Sequence, residues 1–312
     1  IASLARVHNY SLVWGGSAPT RLDPDTGLRH GEELCHQFID RRVTGVFFAP
    51  YELVPHKDEV NRRLAGMLQE AKIPVVLIDR DFCPYPLRSD LDLVGVDNVA
   101  GGYMLGEHLL KLGCRRLHFV AFPLSAPTVD ARIAGVREAL VRWRNEPDPD
   151  WVHLGALDDK LFVKSLLSEP LPDAFICAND HTAALLLRAL HQNSISVPKD
   201  VRVAGFDDAK FATLISPALT TVRQPCIEIA VTAFHAMLER LADPSLPPRQ
   251  MIITPSLIVR ESCGSLVNPI ESTQPVPGVG EHALSALTAS SGRSRNRDSG
   301  AKSLAAPTGN GP

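Results

Sequence analysis

The sequence predicts an α/β protein built on parallel sheets with helices packed on both faces. Three observations carry this prediction. Short β-branched runs alternate along the chain with segments of helical spacing. Most of those runs are continuously apolar rather than alternating, as strands covered on both faces are. Several runs end in a polar pair, and open α/β sheets place their ligand crevice at the carboxyl ends of the strands.

In chain order, IASLARVHNYSLVWGG reads as the second half of a helix followed by a strand over 11–16. Further strands are expected at VTGVFFAP (43–50), PVVLID (74–79), LVGVDN (93–98), RLHFVA (116–121), DAFICAND (173–180) and VRVAGFDD (201–208). A last β-like run, Leu219 to Arg223, is stopped by Pro225. Helices fill the intervals. DEVNRRLAGMLQEA (58–71) places Val60, Leu64, Met67, Leu68 and Ala71 on one face. VAGGYMLGEHLLKLG (99–113) ends in Gly113, a natural residue for the left-handed position after a helix. VDARIAGVREALVRW (129–143) aligns Ile133, Val136 and Leu140, and HTAALLLRALHQN (181–193) and CIEIAVTAFHAMLERL (226–241) keep the same spacing. Repeated β-α units imply a doubly wound arrangement with right-handed crossovers.

At 312 residues the chain can hold one large domain or two smaller ones. A formal net charge of -3 gives no overall reason to expect nucleic-acid or membrane-surface binding by this segment. No apolar run approaches the roughly eighteen residues of a membrane span. The six cysteines are scattered and none forms C-x-x-C, which favours reduced thiols and a cytoplasmic protein. The chain starts at Ile and carries no segment that reads as a signal peptide. From 265 to 312 it is rich in Ser, Pro, Gly and Ala, and this tail is expected to be disordered. Its four basic residues, Arg293, Arg295, Arg297 and Lys302, fit a solvated tail better than a nucleic-acid contact.

The polar pairs are Asp79-Arg80, Asp97-Asn98, Asn179-Asp180 and Asp207-Asp208. Asn and Asp are the best N-caps, so capping explains any one of them. Four at one sheet edge point to a polar cleft. Catalysis finds little support: there is no G-x-S-x-G elbow, H-E-x-x-H, P-loop or G-x-G-x-x-G. His30, Cys35 and His36 are spaced so that three ligands do not share a helical face, and neither a metal nor a cofactor is expected. Asp207 and Asp208, being adjacent, do not face each other as an acid/base pair.

The segments VTGVFFAP, IPVVLIDRD, VGVDNVAGGYMLGEHLLKLGCRRLHFVA, VDARIAGVREAL, FICANDHTAALLLRAL, SVPKDVRVAGFDD, SPALTTVRQP and PSLIVRESC follow one another over nearly all of residues 1–264. In this ordered set the chain resembles the sensor domain of the LacI/GalR bacterial transcription regulators, related to the type I periplasmic binding proteins. The resemblance implies two Rossmann-like lobes joined by three crossings, with an effector between them. Lobe one would hold about 1–95 and 223–243, and lobe two about 96–222 and 244–264. ALTTVRQP would form one hinge crossing, and Asp97 would sit at the first. Family proteins begin with a helix-turn-helix and a first sensor strand. Neither is recognisable here, so an N-terminal truncation is expected, with operator DNA reached only through the missing domain. A homodimer through helices such as 58–71 and 226–241 is also implied.

Arg132, early in its helix, matches the family's effector-contacting arginine, and a guanidinium can fork onto hydroxyls or a carboxylate. Asp207, the first acid of GFDD, suits a pair of vicinal hydroxyls. Asn179 offers both donor and acceptor. Phe122 is the best placed of the aromatics Trp14, Phe82, Phe122 and Trp151 to stack on a sugar face. Asp97, Asn98, Arg223 and Gln224 are expected at the hinge or in support. Asp208 and Asp180 read as capping residues. Together these features imply a sensor that binds a small-molecule effector, a sugar, and is not an enzyme. The alternative is a solute-binding protein of a sugar transporter, with the same clamshell and no DNA partner.

Overall fold

The computed structural model describes residues 1–13, 15, 24–168 and 170–265, with the backbone alone over 24–28. Trp14 and the tail beyond 265 lie outside the described residues.

The first sheet is parallel, in the order β1-β2-β3-β9: β1 (Val46–Phe48), β2 (Val75–Ile78), β3 (Asp92–Val96) and β9 (Gln250–Ile253). Helices α1 (Ala2–Val7), α2 (Pro24–Asp40), α3 (Lys57–Glu70) and α8 (Cys226–Ala242) belong to this half, with α3 against β2 and α8 against β2, β3 and β9. The second sheet has the order β10-β8-β7-β6-β4-β5. Its strands are β4 (Leu117–Ala121), β5 (Val152–Leu154), β6 (Ala174–Cys177), β7 (Arg202–Asp207), β8 (Thr220–Arg223) and β10 (Ser256–Ile258). Only β10, at its edge, runs antiparallel. Helices α4 (Asn98–Lys111), α5 (Pro127–Arg142), α6 (Lys160–Leu166) and α7 (Asp180–Gln192) flank it.

The continuous apolar runs are buried strands as expected: every residue of β3 and β6 is buried. The helix over 58–71 is observed as α3 one residue earlier, with Val60, Leu64 and Leu68 buried, while Ala71 falls past its end and is exposed. Gly113 follows α4 in the left-handed conformation, φ +88°. One apolar cluster runs from Val76, Val94 and Val96 of the first sheet through Leu105 and Leu109 of α4 to Phe119, Ile176 and Phe206 of the second.

Two expectations are corrected. Of residues 11–16, those described form no strand; Leu12 and Val13 are each 47% exposed, and so short a run buries too little to pair with β1. The stretch 244–264 does not lie wholly with the second sheet. Gln250–Ile253 pairs with β3, and only after Ile253 does the chain cross to pair Ser256–Ile258 with β8. The chain therefore passes between the sheets at 97–98, 224–225 and 254–255. Helices α2 and α6 and strands β5, β9 and β10 are additional to the predicted elements.

Candidate functional site

The carboxyl ends of β2, β3, β6 and β7 bring the polar pairs to one region, and the pairs divide into distinct tasks. Asp97 is the N-cap of α4, its Oδ1 accepting from the Ala100 N–H at 2.8 Å. Asn98 is buried. Its Nδ2 donates to the Val96 carbonyl at 3.0 Å, which fixes the amide so that Oδ1 faces Arg132.

Arg132 is 5% exposed. Its Nε donates to Asn98 Oδ1 at 2.8 Å, its Nη1 to the Ala178 carbonyl at 2.5 Å, and its Cζ lies 3.7 Å above the centre of the Phe206 ring. A charge this buried is tolerable only when its donors are satisfied and a counter-charge is near. The counter-charge is Asp207, whose Oδ1 lies 3.9 Å from Arg132 Nη2. That separation is too long for a direct hydrogen bond.

Asp207 ends β7 with φ +117°, and Asp208 follows with φ +55°, a left-handed pair that turns the two carboxylates in different directions. Asp207 Oδ1 accepts from Gln224 Nε2 at 2.6 Å. Burial raises its pKa above the usual carboxylate range, Arg132 and Gln224 oppose that rise, and Asp79 and Glu52 add to it. Asp208 takes Arg223 Nε at 2.6 Å on one oxygen and Arg260 Nη2 at 2.5 Å on the other. Its pair of arginines outweighs the desolvation that would raise its pKa, and holds it below the usual range. Gln224 and Arg223 thus fasten the crossing after β8 to the two acids at the end of β7.

The capping role expected of Asp180 is filled by Asn179 instead. Asn179 is the N-cap of α7, its Oδ1 accepting from Thr182 N and Thr182 Oγ1, both at 2.8 Å. Its Nδ2 takes no part in the cap. Asp180 is fully buried within the helix. Its Oδ1 accepts from Thr221 Oγ1 at 2.6 Å and its Oδ2 from the Ala209 N–H at 2.7 Å, joining β8 to the loop after β7. Burial is the largest influence on it and pushes its pKa up to about 6 against those two hydrogen bonds. Phe122 is half-buried just beyond β4, its carbonyl accepting from Ser125 Oγ at 2.8 Å. Phe82 and Trp151, by contrast, are core residues at 6% and 4% exposure.

Several participants are not evident from the sequence. Glu52, after β1, pairs with Arg80, and its Oε2 accepts from the Ala126 N–H at 3.3 Å on the other side of the cleft. Beside it the Leu53 N–H donates to the Leu124 carbonyl at 2.9 Å. Gly102 and Gly135 allow α4 and α5 to touch backbone to backbone: a Cβ would stand 2.0 Å from the Arg132 carbonyl oxygen at the first and 2.0 Å from that of Val99 at the second. Arg260, within IVRES, is the second arginine on Asp208. A cavity of about 370 Å³ adjoins this region, lined in part by Asp79, Arg80, Asn98, Thr128 and Ala131. Among the described residues, no group of three or more His, Cys, Asp or Glu side chains is arranged to hold a metal ion.

Comparison with known proteins agrees with this architecture. Residues 107–263, half of the chain, match the periplasmic binding protein-like domain. The ribose operon repressor of Escherichia coli (strain K12) is 32% identical over 72% of this chain, which spans 66% of that protein's length. The HTH-type transcriptional repressor PurR of Aliivibrio salmonicida is 28% identical over 75% of this chain and 69% of its own. A solved transcriptional regulator CelR–cellobiose complex shares the fold with a TM-score of 0.65 and 28% identity, over 75% of this chain and 70% of that one. Fold, order of motifs and relatives coincide: the chain belongs to the periplasmic binding protein-like family and is a sensor domain of the LacI/GalR type.

Proposed function

We propose that this domain binds a small sugar in the cleft between its two sheets and thereby controls operator binding by a DNA-binding segment joined to it in the whole protein, which acts as a homodimer. The relatives are named as repressors and a regulator, one solved with cellobiose and one serving a ribose operon, which favours a regulator over a transporter's receptor and over an enzyme. The observation that carries the reading is the 3.9 Å gap between Arg132 Nη2 and Asp207 Oδ1. A ligand hydroxyl placed beside that gap accepts from the guanidinium and donates to the carboxylate at once. Asn179 Nδ2 and the Phe122 ring are the further contacts in this scheme. The effector acts by binding the closed arrangement of the two sheets better than the open one.

Isothermal titration calorimetry with D-ribose, D-xylose and cellobiose tests this. At least one is expected to bind, and Asp207→Asn, which keeps the side chain's shape, is expected to weaken that binding about 10- to 100-fold through the loss of a charge-assisted hydrogen bond. Affinity unchanged in Asp207→Asn would remove Asp207 from the site. Binding of none of these sugars, nor of a wider panel, would end the sugar-effector reading.

A further inference from the structure

His118 of β4 and His153 of β5 meet at the edge of the second sheet. β5 is the outermost strand there and pairs with β4 alone. The two ring centroids lie 4.9 Å apart with the planes tilted at 39°, and His153 Nε2 stands 2.9 Å from His118 Nδ1. On the far side of the ring, His118 Nε2 is 3.2 Å from Asp148 Oδ2. Asp150 lies within electrostatic reach of His153. The His118 side chain is 17% exposed and that of Asp148 52%, while His153 is half-buried, so the pair is held by the fold and open to water on one side.

The carboxylate fixes where the protons sit. Ionised Asp148 only accepts, so His118 carries its proton on Nε2 and turns the lone pair of Nδ1 toward His153. In the neutral pair, His153 Nε2 donates its proton into that lone pair. One proton is thus held between two nitrogens that both ligate metals when deprotonated. Two nitrogens each about 2.0–2.1 Å from one metal stand about 2.8–3.4 Å apart in adjacent positions of an octahedral or tetrahedral shell. The observed 2.9 Å falls in that range. A carboxylate on the other ring nitrogen is the partner that orients a ligating imidazole and raises its basicity. Among the described residues no third His, Cys, Asp or Glu completes the set, so water supplies the remaining positions.

We propose that His118 Nδ1 and His153 Nε2 bind a divalent first-row transition ion at the β4–β5 edge, with Asp148 positioning His118. The ion takes the place of the shared proton, which passes to the other nitrogen of His153. Imidazole suits zinc, nickel or copper, whereas magnesium and calcium take oxygen ligands. Bound there, the ion ties the outermost strand to β4 through side chains. The backbone already joins them where the Phe119 N–H donates to the Trp151 carbonyl at 2.7 Å and the Gly155 N–H to that of Ala121 at 3.0 Å. None of these side chains belongs to the effector site, and the proposal is independent of the effector-binding reading.

The test is titration of the whole chain with nickel(II) in a non-chelating buffer. Calorimetry measures the affinity, and paramagnetic loss of amide signals from isotope-labelled protein locates the ion. Signals of residues 117–120 and 151–154 are expected to vanish first, and magnesium is expected to leave them unchanged. His118→Gln and His153→Gln, one on each strand, are each expected to abolish this local loss. Asp148→Asn is expected to weaken binding about tenfold, as loss of an outer-shell partner does, with metal-free thermal unfolding unaltered. Signal loss at other histidines or in the tail with none at this edge would mean an adventitious ion only, and overturns the proposal. Local loss that persists in a folded His118→Gln or His153→Gln variant overturns it equally. Unchanged affinity in Asp148→Asn removes the positioning role.

Discussion

A methyl group on Gly102 would stand 2.0 Å from the carbonyl oxygen of Arg132. The residue that carries the buried guanidinium is thus seated directly on the backbone of α4, with Gly135 making the reciprocal approach to Val99 one turn away. The position of Arg132 is set by two absent side chains as much as by its own hydrogen bonds.

Gly102→Ala is accordingly expected to force α4 and α5 apart. Overpacking of this kind costs about 1–3 kcal/mol, and the displaced helix should also weaken sugar binding. Urea unfolding and calorimetric titration measure the two effects. Wild-type stability and affinity in the variant would mean that the helices slide past the added methyl without consequence.

Asp208 should be coupled unequally to its two arginines. Arg260 is 14% exposed at its side chain and also donates to the Leu219 carbonyl, whereas Arg223 is 54% exposed. Exposed ion pairs contribute about 0–1 kcal/mol. Double-mutant cycles are expected to give the larger coupling energy for Asp208 with Arg260, and the smaller for Asp208 with Arg223. Equal values would mean that burial does not set the strength of this clamp.

The buried Asp180 predicts a pH dependence of known sign. Its pKa in the fold is about 6, above the ordinary 3.8. Between those values the folded chain holds more protons on this group than the unfolded chain, so its contribution to stability falls as pH rises through the window and levels off above it. Asp180→Asn removes the titration along with one of the two acceptor oxygens that serve Thr221 Oγ1 and the Ala209 N–H. The stability difference between wild type and this variant, followed by denaturant unfolding from pH 4 to about 7, should shrink as pH rises. A constant difference would place the Asp180 pKa near its ordinary value.

Cys263 should ionise unusually readily for a buried thiol. Burial pushes its pKa up, but hydrogen bonds led by His108, whose Nε2 lies 3.4 Å from the sulfur, outweigh this and bring it down to about 6 from 9.0. Thiolate ultraviolet absorbance should therefore show a step near pH 6 that is lost in Cys263→Ser and moves to higher pH in His108→Phe. A step that stays put in His108→Phe would mean that the imidazole does not stabilise the thiolate.

The sequence by itself determined the alternation of strands and helices and the edge at which the polar pairs gather, because the period of apolar residues and the chemistry of Asn and Asp at strand ends are local properties. Its resemblance to a known family also singled out Arg132, Asp207 and Gln224, which the fold links through Asp207, and Arg223, which it pairs with the neighbouring Asp208. Which member of a pair caps a helix and which is buried was decided by tertiary structure. Asn179 and Asp180 are equally good caps in isolation, and only the nearness of Thr221 and Ala209 draws Asp180 inward. The crossing of 250–253 back to the first sheet, the reach of Glu52 to Ala126 and the seat of Arg132 on Gly102 likewise depend on residues at least 30 positions apart in the chain. No local pattern records such contacts, since they exist only once two distant surfaces have packed together.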